Sequence, residues 1–234
     1  MKILGLDSSG KTASVAILDE FTLIGEYTIS NDKTHSQKLV PMINELVENL
    51  NINLEDIDMF ACSTGPGSFT GLRIGISTIK AMAFALKKPT ISIPTLLGLA
   101  YNISNFNGLI CPMIDARNEN VYSAIFKIEN EKYTLINDYS AENINYIIDI
   151  LSNLSGDIIF IGDGATSYYT TLKNSFDARA NFAPTHLNSQ KASSIAKACL
   201  DKVSLDGFDI TDTLSPIYLR KSQAERMLDL NAKI

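Results

Sequence analysis

Within residues 60–85 a short apolar run meets the turn Thr64-Gly65-Pro66-Gly67, then a helical pattern that carries two further glycines. Gly65 and Gly67 admit backbone angles closed to other residues, Pro66 fixes one dihedral, and Ser68 stands where a helix cap belongs. Gly71 and Gly75 fall one turn apart, in line with Thr78 and Met82. A mid-helix glycine costs roughly 1 kcal/mol relative to alanine, so two on one face require a close neighbour. That neighbour is another helix or a ligand. A buried strand feeding such a turn and helix is an α/β unit.

The rest of the first hundred residues agrees with an α/β chain. Residues 2–6 and 13–18 read as strands joined by the polar turn Asp7-Ser8-Ser9-Gly10-Lys11, and residues 21–30 as a third strand. Leu39, Ile43, Leu46 and Leu50 repeat at helical spacing, which predicts a helix over 36–50 with Pro41 near its start. Strands are expected at 57–63 and 90–93, and a helix over 95–103.

A second set of elements begins near Gly108. Strands are expected at 109–114, 121–128, 133–139 and 158–161, and helices over 144–154, after Gly162-Asp163-Gly164-Ala165, and over 189–203. Placing Asp7 over Asp115 aligns two hairpins without a gap, with Ala16-Ile17-Leu18 on Ala124-Ile125-Phe126. Any two strand–turn–strand units align somewhat, yet both hairpins open their halves and carry Asp at the first turn position. The expectation is an internal duplication, with an N-terminal half over 1–104 and a C-terminal half over 105–234 whose tail returns to the first.

Composition narrows the function. The chain has 234 residues, 45% of them apolar, and a net charge of −6. An acidic chain with scattered Lys and Arg is a poor holder of nucleic acid by itself, so any RNA would need a partner's basic surface. Cys62, Cys111 and Cys199 sit far apart among apolar residues, with no Cys-x-x-Cys spacing, as reduced buried thiols do. No signal-peptide core and no apolar run of membrane-spanning length are evident, which reads as a cytoplasmic protein.

Three turns admit chemistry, each beside a plainer reading. The Asp7-Ser8-Ser9-Gly10 turn can cradle a phosphate on its amides or simply close a hairpin. Asp115 with Arg117 is an acid beside a cation, or an Asx turn. Gly162-Asp163-Gly164 follows a strand and precedes a helix, where α/β proteins bind nucleotides, though a lone Gly-x-Gly also serves tight turns without ligands. His35 and His186 lack partners at metal-ligand spacing. Gly67-Ser68-Phe69-Thr70-Gly71 is one residue too long for a nucleophile elbow, and no Gly-Lys-Ser/Thr makes a Walker loop.

Five segments resemble one family. They are Leu4-Gly5-Leu6-Asp7-Ser8-Ser9, Thr34-His35-Ser36-Gln37-Lys38-Leu39-Val40-Pro41-Met42-Ile43, Gly65 through Gly75, Asp115-Ala116-Arg117 with Val121-Tyr122, and Pro216-Ile217-Tyr218-Leu219-Arg220. In order, over nearly the whole chain, these look like the TsaB (YeaZ) family of tRNA threonylcarbamoyladenosine biosynthesis. The resemblance implies an actin-like, Hsp70-like ATPase (ASKHA) fold of two duplicated α/β halves. It implies a non-catalytic subunit that binds TsaD and TsaE, meets tRNA through that complex, and forms a homodimer when alone.

Carried onto this chain, the resemblance places the partner contact on the first two helices. Its residues would be His35, Leu39, Ile43, Leu46, Ser68, Phe69, Gly71, Arg73, Gly75, Thr78 and Met82. It leaves Asp7, Ser8, Asp115, Gly162 and Gly164 as the outline of a vestigial nucleotide cleft. No cofactor is required by this chain, with ATP or ADP expected only at the interface of the complex. No catalytic residue and no metal site are expected. The competing expectations are an ATP-dependent phosphotransferase of the same fold, with Asp7 and Asp115 around Mg-ATP, and a protease-like homodimer.

Overall fold

The computed structural model describes residues 1–30, 35–129, 132–206 and 214–220. Two five-stranded sheets are built to one plan. In the first, β1 (Ile3–Asp7), β2 (Thr12–Leu18) and β3 (Leu23–Ser30) form an antiparallel meander, and β4 (Met59–Ser63) and β5 (Thr90–Ile93) add parallel to β1. The order is β3-β2-β1-β4-β5. In the second, β6 (Leu109–Asp115), β7 (Asn120–Glu129) and β8 (Lys132–Asn143) form the meander, with β9 (Ile158–Ile161) and β10 (Ala180–Phe182) parallel to β6. The order β8-β7-β6-β9-β10 repeats the first, so the two halves are duplicates in topology.

Both faces of each sheet are covered, which is why β1, β2 and β4 are buried throughout. On one face of the first sheet lie α1 (Leu39–Leu50) and α2 (Phe69–Leu86), packed on Leu4, Leu6, Val15 and Ile17. On the equivalent face of the second lie α4 (Ile144–Ser152), α5 (Asp163–Ser167) and α6 (Tyr169–Phe176), packed on Cys111, Met113, Val121 and Ile125. The inner faces are covered by exchange. The first half's α3 (Thr95–Ala100) packs on Ile110, Ile114 and Ala124 of the second sheet. The helix that follows the second sheet, α7 (Ala192–Asp206), packs on Ile3, Leu18 and Ala61 of the first. Each sheet is completed by the other half's last helix.

The duplication is real, but its register differs from the gapless overlay. Ile17 and Ile125 both face the outer helices, and Leu18 and Phe126 both face inward, so the second hairpin strands match as aligned. In the first hairpin strands the facing is out of step. Leu6 faces outward, whereas Ile114 faces inward. Leu6 therefore corresponds to Met113 and Asp7 to Ile114, because the second turn is one residue longer. Strand pairing agrees: Asp7 pairs with Ser14, and Ile114 with Tyr122. A single residue in a turn moves every later side chain to the other face.

Several elements differ from their sequence limits. A single 3-10 turn, His35–Gln37, precedes α1, which begins only at Leu39. Pro41 then falls in the first helical turn, where its missing N–H has no intrahelical acceptor to lose. α3 stops at Ala100, β8 runs twelve residues, and α6 and the three-residue β10 carry too little pattern to be seen in advance. By length and apolarity α2 does reach the dimensions of a membrane span, against the sequence reading. One face of it packs in the core: Leu72, Ile76, Ile79 and Ala83 are buried on the first sheet, while Arg73, Ser77 and Lys80 are exposed.

Candidate partner-binding site

The glycine turn before α2 ends in a built cap. Ser68 Oγ accepts the amide of Gly71 at 3.2 Å, and the Ser68 amide donates to the carbonyl of Ser9 at 2.7 Å. This ties the start of α2 to the β1–β2 turn. Ser8 completes the connection by donating its hydroxyl to the Gly71 carbonyl at 2.9 Å. Gly71 and Gly75 are both buried, and a Cβ on Gly75 would overlap the Ser8 hydroxyl and lie 2.8 Å from Leu6 Cδ2. The neighbour those two glycines admit is the turn of their own chain. A second helix on that face, as the spacing alone invited, has no room.

The apolar stripe of α1 is internal as well. Leu39, Ile43 and Leu46 are each 1% exposed and belong to the core over the first sheet. Five of the residues expected at a partner contact, Leu39, Ile43, Leu46, Gly71 and Gly75, are thus buried in the chain's own packing. Thr78 is half-buried and donates to the Ile74 carbonyl at 2.9 Å; Met82 is half-buried against the same core. His35 opens the short turn before α1, and its side chain lies outside the described residues.

What the two helices show to solvent is a different set. Val40 is 49% exposed and Phe84 87%. Between the helix ends a groove of about 730 Å³ is lined by Val47, Ile52, Leu54, Met82 and Leu86 together with Glu48 and Glu55. At the other end of α2, Phe69 stacks on Tyr218 with ring centroids 4.5 Å apart and planes 10° from parallel. Exposed Arg73 donates from Nε to the Tyr218 hydroxyl at 2.9 Å.

The expected cleft residues fall into three turns, β1–β2, β6–β7 and β9–α5. Asp7 is buried and points to the α7 side of the first sheet, with Oδ1 accepting the amide and hydroxyl of Ser9 at 2.8 and 2.6 Å. Asp115 is exposed and, by the shifted register, leaves the second sheet on the α5 side, where Ser167 reaches it at 3.5 Å. Its Oδ1 accepts the Arg117 amide at 2.7 Å, an Asx turn, and Arg117, Asn118 and Glu119 all take left-handed angles. The two carboxylates thus occupy non-equivalent faces.

Gly162 and Gly164 pack against the backbone of Met113 on β6. The amide of Gly162 is taken by Asn188 Oδ1 at 2.7 Å, and Asn188 Nδ2 donates to Thr166 at 2.9 Å. Between those glycines Asp163 accepts the Asp115 amide at 3.0 Å. Although the residue reaches the surface, lost hydration and the nearby Asp115 charge raise its pKa, against that amide bond and the charge of Lys11. Among the described residues, no three His, Cys, Asp or Glu gather as metal ligands. Asn188, a loop asparagine, carries no local sequence signal, and the pairing of Tyr218 with Arg73, 145 positions away, is not visible in the segment that contains it.

Comparison with known proteins is consistent in one direction. The family described as TsaD, tRNA N6-adenosine threonylcarbamoyltransferase, matches residues 22–227. The tRNA threonylcarbamoyladenosine biosynthesis protein TsaB of Bacillus subtilis (strain 168) is 27% identical over 225 residues, 96% of each chain. The protein of the same name from Buchnera aphidicola subsp. Schizaphis graminum is 32% identical over 167 residues, 69% of this chain and 78% of the other. The solved YeaZ from Pseudomonas aeruginosa, 23% identical, superposes with a TM-score of 0.72 over 93% of this chain and 99% of that one. The repeated sheets and their outer helices are the actin-like, Hsp70-like ATPase fold in two duplicated halves.

Proposed function

Because the chain belongs to the TsaB (YeaZ) family, within the wider family described as tRNA N6-adenosine threonylcarbamoyltransferase, we propose that it serves threonylcarbamoyladenosine formation on tRNA as a non-catalytic partner subunit. In this reading it binds TsaD through the outer surface of α1 and α2. Together with TsaE it holds TsaD in the state that transfers threonylcarbamoyl to the adenosine beside the anticodon. tRNA is met through the complex, and two copies pair by the same surface when TsaD is absent.

One observation carries the reading. The outer side of these helices keeps large apolar side chains in water: Phe84 stands among Lys80, Lys87 and Lys88 on one flank of α2, and a groove walled by Val47, Ile52 and Met82 opens on the other. Large apolar side chains left in water among charged ones are what a protein partner covers. The non-catalytic part rests on how the cleft turns are used. Asp7 is spent on Ser9, the Gly162 amide on Asn188, and Asp115 on its own turn. We propose accordingly that the chain requires no cofactor of its own and that ATP or ADP binds only at the boundary with TsaD.

The test is reconstitution of tRNA modification from TsaD, TsaE and the upstream adenylate-forming enzyme, with and without this chain. Modification that depends on the chain, and that falls when Phe84→Asp is supplied instead, is the expected result. Equal modification in its absence would reject the proposal. Turnover of Mg-ATP by the isolated chain would favour a phosphotransferase, and hydrolysis of peptides a protease-like homodimer.

A further inference from the structure

Residues 214–220 form a strap between the two halves. Leu214 is buried at 1% exposure in the core under α1 and α2. The amide of Ile217 then donates to the Thr64 carbonyl at 2.7 Å, and its own carbonyl lies against Gly65, where a Cβ would come within 2.6 Å. Tyr218 covers Phe69 and accepts from Arg73, whose guanidinium carbon is 5.6 Å from the ring centre. Two residues on, Arg220 Nη1 donates to the Ala116 carbonyl of the β6–β7 turn at 2.7 Å. In seven residues the strap passes from the first core, over the glycine turn and the first turn of α2, to the second half.

We propose that Tyr218 and Arg220 are positioning residues for the partner surface of α2. The inference rests on the partner-subunit reading above and deepens it. Phe69 opens α2 and Arg73 follows one turn later on the same side, and neither is held by the core in which Leu72 and Ile76 sit. A parallel aromatic stack and a cation on the same ring fix both side chains at once. Preorganised side chains lose less entropy when a partner binds, so the strap raises affinity without touching the partner. Arg220 anchors the far end of the strap, so the β6–β7 turn and the start of α2 move as one piece. Contact on α2 is thereby felt in the second half.

The experiment uses the full chain and its Tyr218→Ala, Tyr218→Phe and Arg220→Ala variants. Affinity for the threonylcarbamoyltransferase partner is measured by calorimetry, and amide exchange is followed at 69–73 and 116–120 in the free chain. Tyr218→Ala is expected to weaken binding about tenfold, while Tyr218→Phe, which keeps the stack, stays within about threefold. Tyr218→Ala is also expected to speed exchange at 116–120, which Tyr218 does not touch, and Arg220→Ala to speed it at 69–73. Partner affinity of Tyr218→Ala within twofold of the unaltered chain would overturn the inference. So would equal losses in Tyr218→Ala and Tyr218→Phe, or exchange confined to the altered end of the strap. If the unaltered chain itself fails to bind the transferase, the function proposed above falls. The exchange coupling between 69–73 and 116–120 then decides the strap alone.

Discussion

The hydroxyl of Ser8 donates to the carbonyl of Gly71 at 2.9 Å, so the first turn of the chain is bonded to the first turn of α2. The contact is possible only because Gly75, one helical turn on, leaves the space that Ser8 fills. The groups nearest Gly75, the Ser8 hydroxyl and a Leu6 methyl, are both fully buried, so neither has open space to move into.

Gly75→Ala is therefore expected to destabilise the fold despite the better helix propensity of alanine. Propensity contributes about 1 kcal/mol in its favour, and overpacking costs typically about 1–3 kcal/mol. Urea unfolding should show a net loss in the single variant and partial recovery in Ser8→Gly/Gly75→Ala, where the obstructing hydroxyl is gone. A variant as stable as the unaltered chain would mean the turn yields and the approach is not tight. Loss of a partner with stability unchanged would return the glycines to an intermolecular role.

The two sets of apolar residues on α1 and α2 separate by experiment. Leu46→Ala removes a fully buried side chain and is expected to cost about 2–5 kcal/mol in urea unfolding. Phe84→Ala removes one that is 87% exposed and should stay within about 0.5 kcal/mol. Partner capture should respond the other way, surviving Leu46→Ala wherever the protein is folded and failing in Phe84→Ala. Equal stability losses in the two variants would contradict the packing described.

This contrast marks what was legible in the sequence. Helical spacing displayed the Leu39, Ile43 and Leu46 stripe and placed α1 within three residues. Spacing cannot say what covers a stripe, and a core face and a docking face share one periodicity. Gly71 and Gly75 announced a close approach just as clearly, but Ser8, the group that approaches, lies more than sixty positions away. The duplication was visible in two Asp-bearing hairpins. Its one-residue offset was not, because a turn can lengthen without changing the look of the strands beside it. Exchange of α3 and α7 between the sheets is a property of topology that no local pattern carries.

Asp163 gives the fold a pH dependence of known sign. Its folded-state pKa is raised by lost hydration first, then by Asp115, so the folded chain holds that proton more tightly than the unfolded one. Below the ordinary carboxylate range both states are protonated and the residue contributes nothing. As pH rises the unfolded state ionises first and is favoured, so the residue is destabilising above its folded pKa. Asp163→Asn retains an acceptor for the Asp115 amide and removes the charge. It should gain stability over the unaltered chain at pH 7 and lose that advantage near pH 3. An advantage that grows as pH falls would reverse the assigned shift.

The three thiols should be silent in the folded chain. Cys62, Cys111 and Cys199 are fully buried, and Cys199 donates to the Met59 sulfur at 3.3 Å. Burial pushes the Cys111 thiol up to about 12, and burial with the Asp7 charge pushes Cys62 well above its ordinary value. A thiol raised that far holds little thiolate at neutral pH. Alkylation by iodoacetamide at pH 8 must then wait for opening of the cores, since the thiolate is the reactive species. Mass spectrometry should find the native chain unlabelled over minutes and all three sites labelled once urea unfolds it. Because Cys62 and Cys199 sit on opposite faces of the first sheet, their labelling rates report separately on release of α2 and of α7. Rapid native labelling at Cys62 would show that α2 leaves the sheet readily, which its bonds to Ser8 and Ser9 are expected to prevent.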